Sequence, residues 1–250
     1  MSFLNRTLSS FAKKEVIVPH IESALIKNNT WPEEYPVKVY NKERVWDGMF
    51  HPSSDSDLGE YQLYYKFHPD FHNLLEVESI SPSTKLTFQI GSALHAVIQN
   101  LLIQLGFCTL DDVEVKFINK DRMMSGTVDI LHLRLPNGED YLIDIKSTSR
   151  EPKEAPYNYA MQLRIYQDNC PGAPDKMALL YISKTYPHKF YEIVVEKDNK
   201  ELNDLYDKWN RVKVAISAND TKHLKRCCGD ISDKRYLSCA AKHICAFYNE

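Results

Sequence analysis

The sequence predicts an α/β fold: a mixed central β-sheet flanked by helices, with a helical N-terminal extension and a cysteine-containing C-terminal one. Three observations predict it. Residues 88–105 carry apolar side chains at three- and four-residue spacing, the period of a helix. Beyond them the period shortens to the alternation of strands, with turn residues between the runs. Helical and strand segments then interleave along the chain, in the order helix, three strands, helix, two strands, helix.

Residues 1–85 read as irregular and helical, with turn material at 51–54 (HPSS) and 79–83 (SISPS). The first fourteen residues, MSFLNRTLSSFAKK, read as an amphipathic helix with Phe3, Leu4, Leu8 and Phe11 on one side. They contain no acid and have a faint transit-peptide character, but no long apolar stretch of the secretory kind. In 88–105 the residues Ile90, Leu94, Val97, Ile98, Leu101, Leu102 and Leu105 make the apolar face, and Gly106 stops the helix. Strands are predicted at 113–117, 126–135 and 141–146, the last two joined as a hairpin by the PNGE turn at 136–139. A helix at 157–167, strands at 177–183 and 190–195, and a long helix at 199–217 complete the order. No repeat or Gly/Ser linker interrupts it. The expectation is a single compact domain in three parts: an extension over 1–85, a core over 86–198, and a terminal helix with a cysteine-rich tail over 199–250.

Thirty-one Lys and Arg against thirty-four Asp and Glu give a formal charge of −3, which excludes a strongly basic nucleic-acid coat and leaves room for a local groove. Phosphate contacts would then come from few residues, with Lys85, Lys116, Lys120, Arg122, Arg150, Lys153 and Arg164 as candidates. The longest apolar run, near 177–182, is too short to span a bilayer, so no membrane is expected. Six cysteines are too few for a disulfide scaffold and fit a reducing, intracellular compartment.

Four polar residues interrupt apolar patterns. Asp129 lies within GTVDIL, Asp144 and Lys146 within YLIDIKS, and His95 on the Leu94/Val97/Ile98 side of its helix. Asp144 and Lys146 are two apart, so in a strand they point to one face. Asp129 is on the partner strand, where a cross-strand neighbour is about 5 Å away. Two carboxylates that close repel, and a divalent cation relieves the repulsion. An ion pair on a solvated sheet face explains the same spacing, and the two readings stay open at this level.

Taken in order, these residues resemble the PD-(D/E)xK nuclease superfamily, especially its RecB-like branch of phage and CRISPR-associated exonucleases. Gly91-Ser92-Ala93-Leu94-His95 is similar to the glycine-to-histidine helix motif, and Gly126-Thr127-Val128-Asp129 to the G-x-x-D strand. Asp144-Ile145-Lys146 matches (D/E)-x-K, and Gln162-Leu163-Arg164-Ile165-Tyr166 matches Q-x-x-x-Y. The resemblance covers roughly residues 48–185. It implies a restriction-endonuclease-like core and a Mg²⁺ or Mn²⁺ site held by His95, Asp129, Asp144 and the carbonyl of Ile145. Glu114 has a frequent acidic counterpart and is a further candidate ligand. Lys146 would be the catalytic lysine, with Gln162 and Tyr166 lining the site and contacting DNA or Lys146.

Many members of that branch also hold an iron–sulfur cluster with one cysteine before the core and three after it. Cys227 or Cys228, Cys239 and Cys245 resemble the latter three, whereas Gly59 and Tyr61 stand where cysteine and arginine are expected upstream. Three readings follow for the tail: buried packing residues, a structural zinc site completed by His243 or His51, or a cluster with an unusual fourth ligand. The histidines of His68-Pro69-Asp70-Phe71-His72 read as loop because of Pro69.

The functional expectation is a metal-dependent deoxyribonuclease, an exonuclease more readily than an endonuclease. Its substrate would be single-stranded or duplex DNA ends in recombination, repair or genome processing, with a protein of those processes as a partner. The alternatives are a catalytically silent DNA- or protein-binding module of the same fold, and a zinc-stabilised interaction domain built on the tail.

Overall fold

The computed structural model describes residues 15–28, 35–38, 46–75, 81–229 and 232–245. The predicted amphipathic helix of residues 1–14 lies outside them. A five-stranded sheet organises the chain in the order β1(Val113–Asn119), β2(Met124–Arg134), β3(Asp140–Thr148), β4(Lys176–Ser183), β5(Phe190–Val195). Neighbouring strands are antiparallel except β3 and β4, which run parallel with α5(Tyr157–Asn169) as their crossover. The sheet is therefore mixed and the fold α/β, as the strand and helix periods predict.

β3 and β4 are central and buried on both faces, which is why YLIDI and MALLYIS read as nearly continuous apolar runs. One face carries Leu142, Met177, Leu179 and Tyr181 under α5, α3(Glu60–Phe67) and α6(Asn199–Ala218). The other carries Tyr141, Ile143, Ile145, Leu180 and Ile182. It is covered by Ile17, Val18 and Ile21 around α1(Val18–Lys27) and by Ile98 and Leu102 of α4(Pro82–Gln104). Glu192 of β5 fastens α1 in place. Its buried carboxylate accepts the N–H groups of Val16, Ile17 and Val18, donors that a helix start leaves unpaired.

Two boundaries differ from expectation. HPSS, read as a turn, opens a short helix, α2(Pro52–Asp55), with Pro52 in its first turn. The second turn, SISPS, holds the start of α4. Ser81 caps the helix by accepting from the Thr84 N–H, so the helix begins at Pro82 rather than at 88. The apolar face of α4 is only partly used. Ile98 and Leu102 are buried, but Leu86, Phe88, Ile90 and Val97 are exposed among the described residues. By length and composition α4 is also apolar enough to cross a bilayer, which the apolar run at 177–182 did not reveal. Its polar residues bind it to the fold instead: Gln99 to β1 and β2, and Asn100 to both backbone groups of Val37.

A polar brace closes the far end of the β1–β2 hairpin. The two terminal nitrogens of the Arg134 guanidinium donate to Asp112, at 2.8 and 3.1 Å, and Thr109 donates through its N–H and its hydroxyl. Burial pushes the Asp112 carboxyl up, but Arg134 and Thr109 outweigh it and hold it at about 2. A carboxyl lowered on folding contributes stability above the ordinary carboxylate range and loses it as pH falls towards its folded value. Half of the Arg134 side chain faces water, which screens the pair, so Arg134→Met should cost only about 1 kcal/mol at pH 7. Urea unfolding at a series of pH values should show the gap to wild type closing between about pH 4 and pH 2.

Candidate active site

The hairpin, α4 and α5 meet around Asp129 and Asp144. β2 and β3 are paired from Arg134↔Asp140 to Ile130↔Ile143, with an irregularity between Ile130 and Leu133. Where that ladder ends, the Asp129 side chain takes over: its Oδ2 accepts the Ile145 N–H at 2.7 Å. The same oxygen lies 3.4 Å from His95 Nδ1 on α4. Asp144 points from β3 into a nearly closed pocket, its side chain 2% exposed, with Oδ2 2.7 Å from Lys146 Nζ. That oxygen nevertheless accepts no well-directed hydrogen bond among the described residues.

α5 supplies the pocket's roof. Lys146 Nζ donates to Gln162 Oε1 at 3.3 Å and sits 4.7 Å from the centre of the Tyr159 ring. Gln162 Nε2 in turn donates to the Tyr166 hydroxyl at 2.8 Å. Gln162 and Tyr166, four apart on one helix face, are both buried. Gln162 thus meets Lys146. Tyr166 is buried, packs edge-on against Phe117 and reaches Lys146 through Gln162. Gly126 makes room for that ring pair, since a Cβ there would lie 2.6 Å from Phe117 and 2.9 Å from Tyr166. Gly126→Ala should accordingly cost roughly 1–3 kcal/mol by overpacking. Thermal melting checks it, at about 2–4 °C per kcal/mol for a chain of this size.

Burial works against every charge here, and the partners decide the outcome. The Asp144 carboxyl is pushed up to about 6 by burial, with Asp129 adding to the rise and Lys146 opposing it. Burial also raises Asp129, but hydrogen bonding and charge from His95, with Lys146 and the Ile145 N–H, bring it below the ordinary value. Burial would neutralise Lys146, yet Asp144 and Asp129 hold it protonated, and Asp129 likewise raises His95 against its burial.

His95, Asp129 and Asp144 are therefore brought together. They do not form a ready-made cage: among the described residues no three His, Cys, Asp or Glu side chains stand close enough to hold a metal ion. The reason is that they are engaged with one another, Asp129 with His95 and Ile145, Asp144 with Lys146. The donor set nonetheless fits a hard divalent cation, with two carboxylates, an imidazole, and one buried carboxylate oxygen lacking a directed partner. Ile145 contributes its N–H to Asp129. Glu114 stands beside the group on β1, exposed, with φ +53°, a backbone conformation rare for a residue with a side chain. Its Oε1 accepts from Gln99 Nε2 at 2.9 Å, and the same amide donates to the Asp129 carbonyl at 3.1 Å.

Gln99, Tyr159 and Tyr181 are site residues that the sequence reading passed over. Gln99 was signalled as a polar residue one helical turn beyond His95 on an apolar face. Tyr159 shares the face of Gln162 and Tyr166, whereas Tyr181 is placed only by the strand register. Among the basic candidates, Arg122 is committed to Asp168 and the Tyr206 ring, and Arg164 to Glu201 and the Glu196 carbonyl. Lys85, Lys116, Lys120, Arg150 and Lys153 are exposed.

In the tail, no three His, Cys, Asp or Glu side chains among the described residues stand close enough to hold a metal ion. Cys245 is buried in the core layer beneath α6, and Cys239 packs on it. Cys227 occupies the space beside Gly59: a Cβ on Gly59 would lie 2.0 Å from Cys227 Cβ, so a cysteine at 59 has no room. Cys228 is half-buried beside it in sequence. The suggested completing ligands are used elsewhere, His243 on the Leu74 carbonyl and His51 between Asp47 and Ser125.

The fold and this group of residues define an α/β protein with a buried carboxylate–lysine site at the open end of a β-hairpin. No family model and no curated protein matches the chain. Among solved structures it is similar to the crystal structure of SSO0001, at 16% identity and a TM-score of 0.44, over 90% of this chain and 94% of that one. It is also similar to LHK-Exo, an alkaline exonuclease from Laribacter hongkongensis, at 15% identity and a TM-score of 0.45, over 69% of this chain and 89% of that one.

Proposed function

We propose that the chain is a divalent-metal-dependent deoxyribonuclease that hydrolyses phosphodiester bonds, acting as an exonuclease on DNA ends in recombination, repair or genome processing inside the cell. The observation that carries this reading is the convergence of Asp129, Asp144 and protonated Lys146 at one place, with a buried Asp144 oxygen left without a directed partner. Asp129 and Asp144 would hold Mg²⁺ or Mn²⁺, with His95 as a third donor and Glu114 within the same group. Such an ion, when bound, offsets phosphoryl charge and makes its water more acidic.

Lys146 then has a defined task. Because its carboxylate neighbours keep it charged, it serves as a fixed cation for a phosphoryl oxygen rather than as a base. Gln162 and the Tyr159 ring aim it, and Tyr166 and Gly126 hold Gln162. The exposed lysines and arginines outside the pocket are the candidates for contacts along the backbone of the strand.

The test is a cleavage assay on end-labelled linear and on circular DNA, with Mg²⁺, Mn²⁺ or chelator, and with RNA as the rival substrate. Mononucleotide release from linear DNA alone, abolished by chelator, is expected. Binding of DNA without cleavage in either metal would replace the enzyme with the silent binding module.

A further inference from the structure

β1 and β2 pair in register on either side of Asp129, Val113 with Ile130 and Val115 with Val128. That register sets Glu114 opposite Asp129, yet the ladder skips the two of them. The gap coincides with the left-handed backbone of Glu114, at φ +53°. A residue with a side chain keeps that conformation only where its surroundings fix it. The pairing of β2 with β3 also stops one residue short of Asp129, at Ile130. Asp129 therefore sits at a break in both ladders, although a metal site needs it fixed.

Gln99 of α4 spans the break. The residue is buried, and its amide nitrogen donates to Glu114 Oε1 at 2.9 Å and to the Asp129 carbonyl at 3.1 Å. That nitrogen carries two protons, so each acceptor takes one. It lies one helical turn beyond His95, and α4 thus brings both side chains to the same place. Filling the contact between helix and sheet does not call for an amide, which costs free energy to bury unless its hydrogen bonds are made. Here both of the bonds from Nε2 go to acidic residues of the site. We propose that Gln99 is a positioning residue of the metal site. It holds the Glu114 carboxylate and the Asp129 backbone in place for a divalent cation, without itself meeting the cation or the DNA. The proposal rests on the metal-dependent nuclease reading above and adds a residue that no motif of the sequence marks.

Gln99→Met keeps the length of the side chain and removes both donors. The test is calorimetric titration of Mn²⁺ at pH 8 into the chelator-stripped full chain, with thermal melting of the same metal-free samples. Partners that orient metal ligands are worth about ten- to a hundredfold in affinity, and the Mn²⁺ dissociation constant of Gln99→Met should rise by that much. Asn100→Ala is the control for the helix. Asn100 is the next residue of α4 and is also buried, but its side chain bonds to the backbone of Val37 and Ala96 and to nothing in the site. Its loss should lower the melting temperature by a few degrees and leave Mn²⁺ affinity at the wild-type value. Wild-type Mn²⁺ affinity in Gln99→Met would overturn the proposal. So would an equal loss of affinity in Asn100→Ala, since that marks general packing of α4. Wild-type protein that binds no Mn²⁺ is a separate outcome, and it removes the metal site and the nuclease reading with it.

Discussion

Asp144→Asn should abolish DNA cleavage, with a loss of about 10³-fold or more, while the protein stays folded. The substitution keeps the shape of a side chain that has almost no contact with solvent, so packing around β3 is preserved. What it removes is a buried carboxylate for which the cost of burial, with repulsion from Asp129, outweighs the ion pair with Lys146. The pocket also gives a readout that does not depend on cleavage. Burial, reinforced by Asp129, raises the Asp144 carboxyl to about 6, above its unfolded value. With the sign that follows, the stability Asp144 contributes is full when it is protonated at low pH and is lost as pH rises through about 6. A cation that binds the ionised form offsets that loss. In chelated wild-type protein, added Mn²⁺ should therefore raise the melting temperature more at pH 8 than at pH 5, and in Asp144→Asn hardly at either. Normal cleavage by the variant in Mg²⁺ would sink the assignment of the site.

The site was legible in the sequence to the extent that its residues broke a local pattern. Asp129, Asp144 and Lys146 are polar positions inside strands, and His95 is polar on an apolar helix face; the period of each element places them, and the structure brings them together. Gln162 and Tyr166 were marked only by the resemblance to the Q-x-x-x-Y motif, and their spacing alone does not tell a buried helix face from a wet one. Their burial follows from Phe117 and Gly126 on other strands. Tyr181 sits in MALLYIS as one more large residue in a buried run, and only the pairing of β4 with β3 sets it beside Lys146. The ion pairs of Arg122 and Arg164 were hidden for the same reason: their acidic partners Asp168 and Glu201 lie 46 and 37 residues away. The cysteines of the tail had a familiar spacing, yet whether they converge depends on the space at Gly59, which Cys227 takes up.

Replacing Lys146 with alanine should separate the two halves of the proposed chemistry. The ammonium lies 2.7 Å from Asp144 Oδ2 and 3.3 Å from Gln162 Oε1, held over the Tyr159 ring, and its carboxylate neighbours keep it charged. A preorganised positive group of this kind, aimed where phosphoryl charge develops, is worth about 10²–10³ in rate. Lys146→Ala should lose that much in kcat. Metal binding should persist, because the carboxylates that would hold the ion remain and one of them is freed from its ion pair. The loss of Lys146 also removes the charge that opposes the rise of the Asp144 carboxyl, so that carboxyl should move further up. Calorimetric titration with Mn²⁺ should accordingly show near-normal affinity at pH 8 and a steeper decline towards pH 6 than in wild type. Lys146→Arg keeps the charge, but a planar fork replaces a compact ammonium in a pocket fitted by Gln162 and Tyr159, so only partial recovery of rate is expected. If Lys146→Ala had lost Mn²⁺ altogether at pH 8, Lys146 would be holding the carboxylates in place rather than meeting the phosphate, and its role would have to be reassigned from the substrate to the metal site.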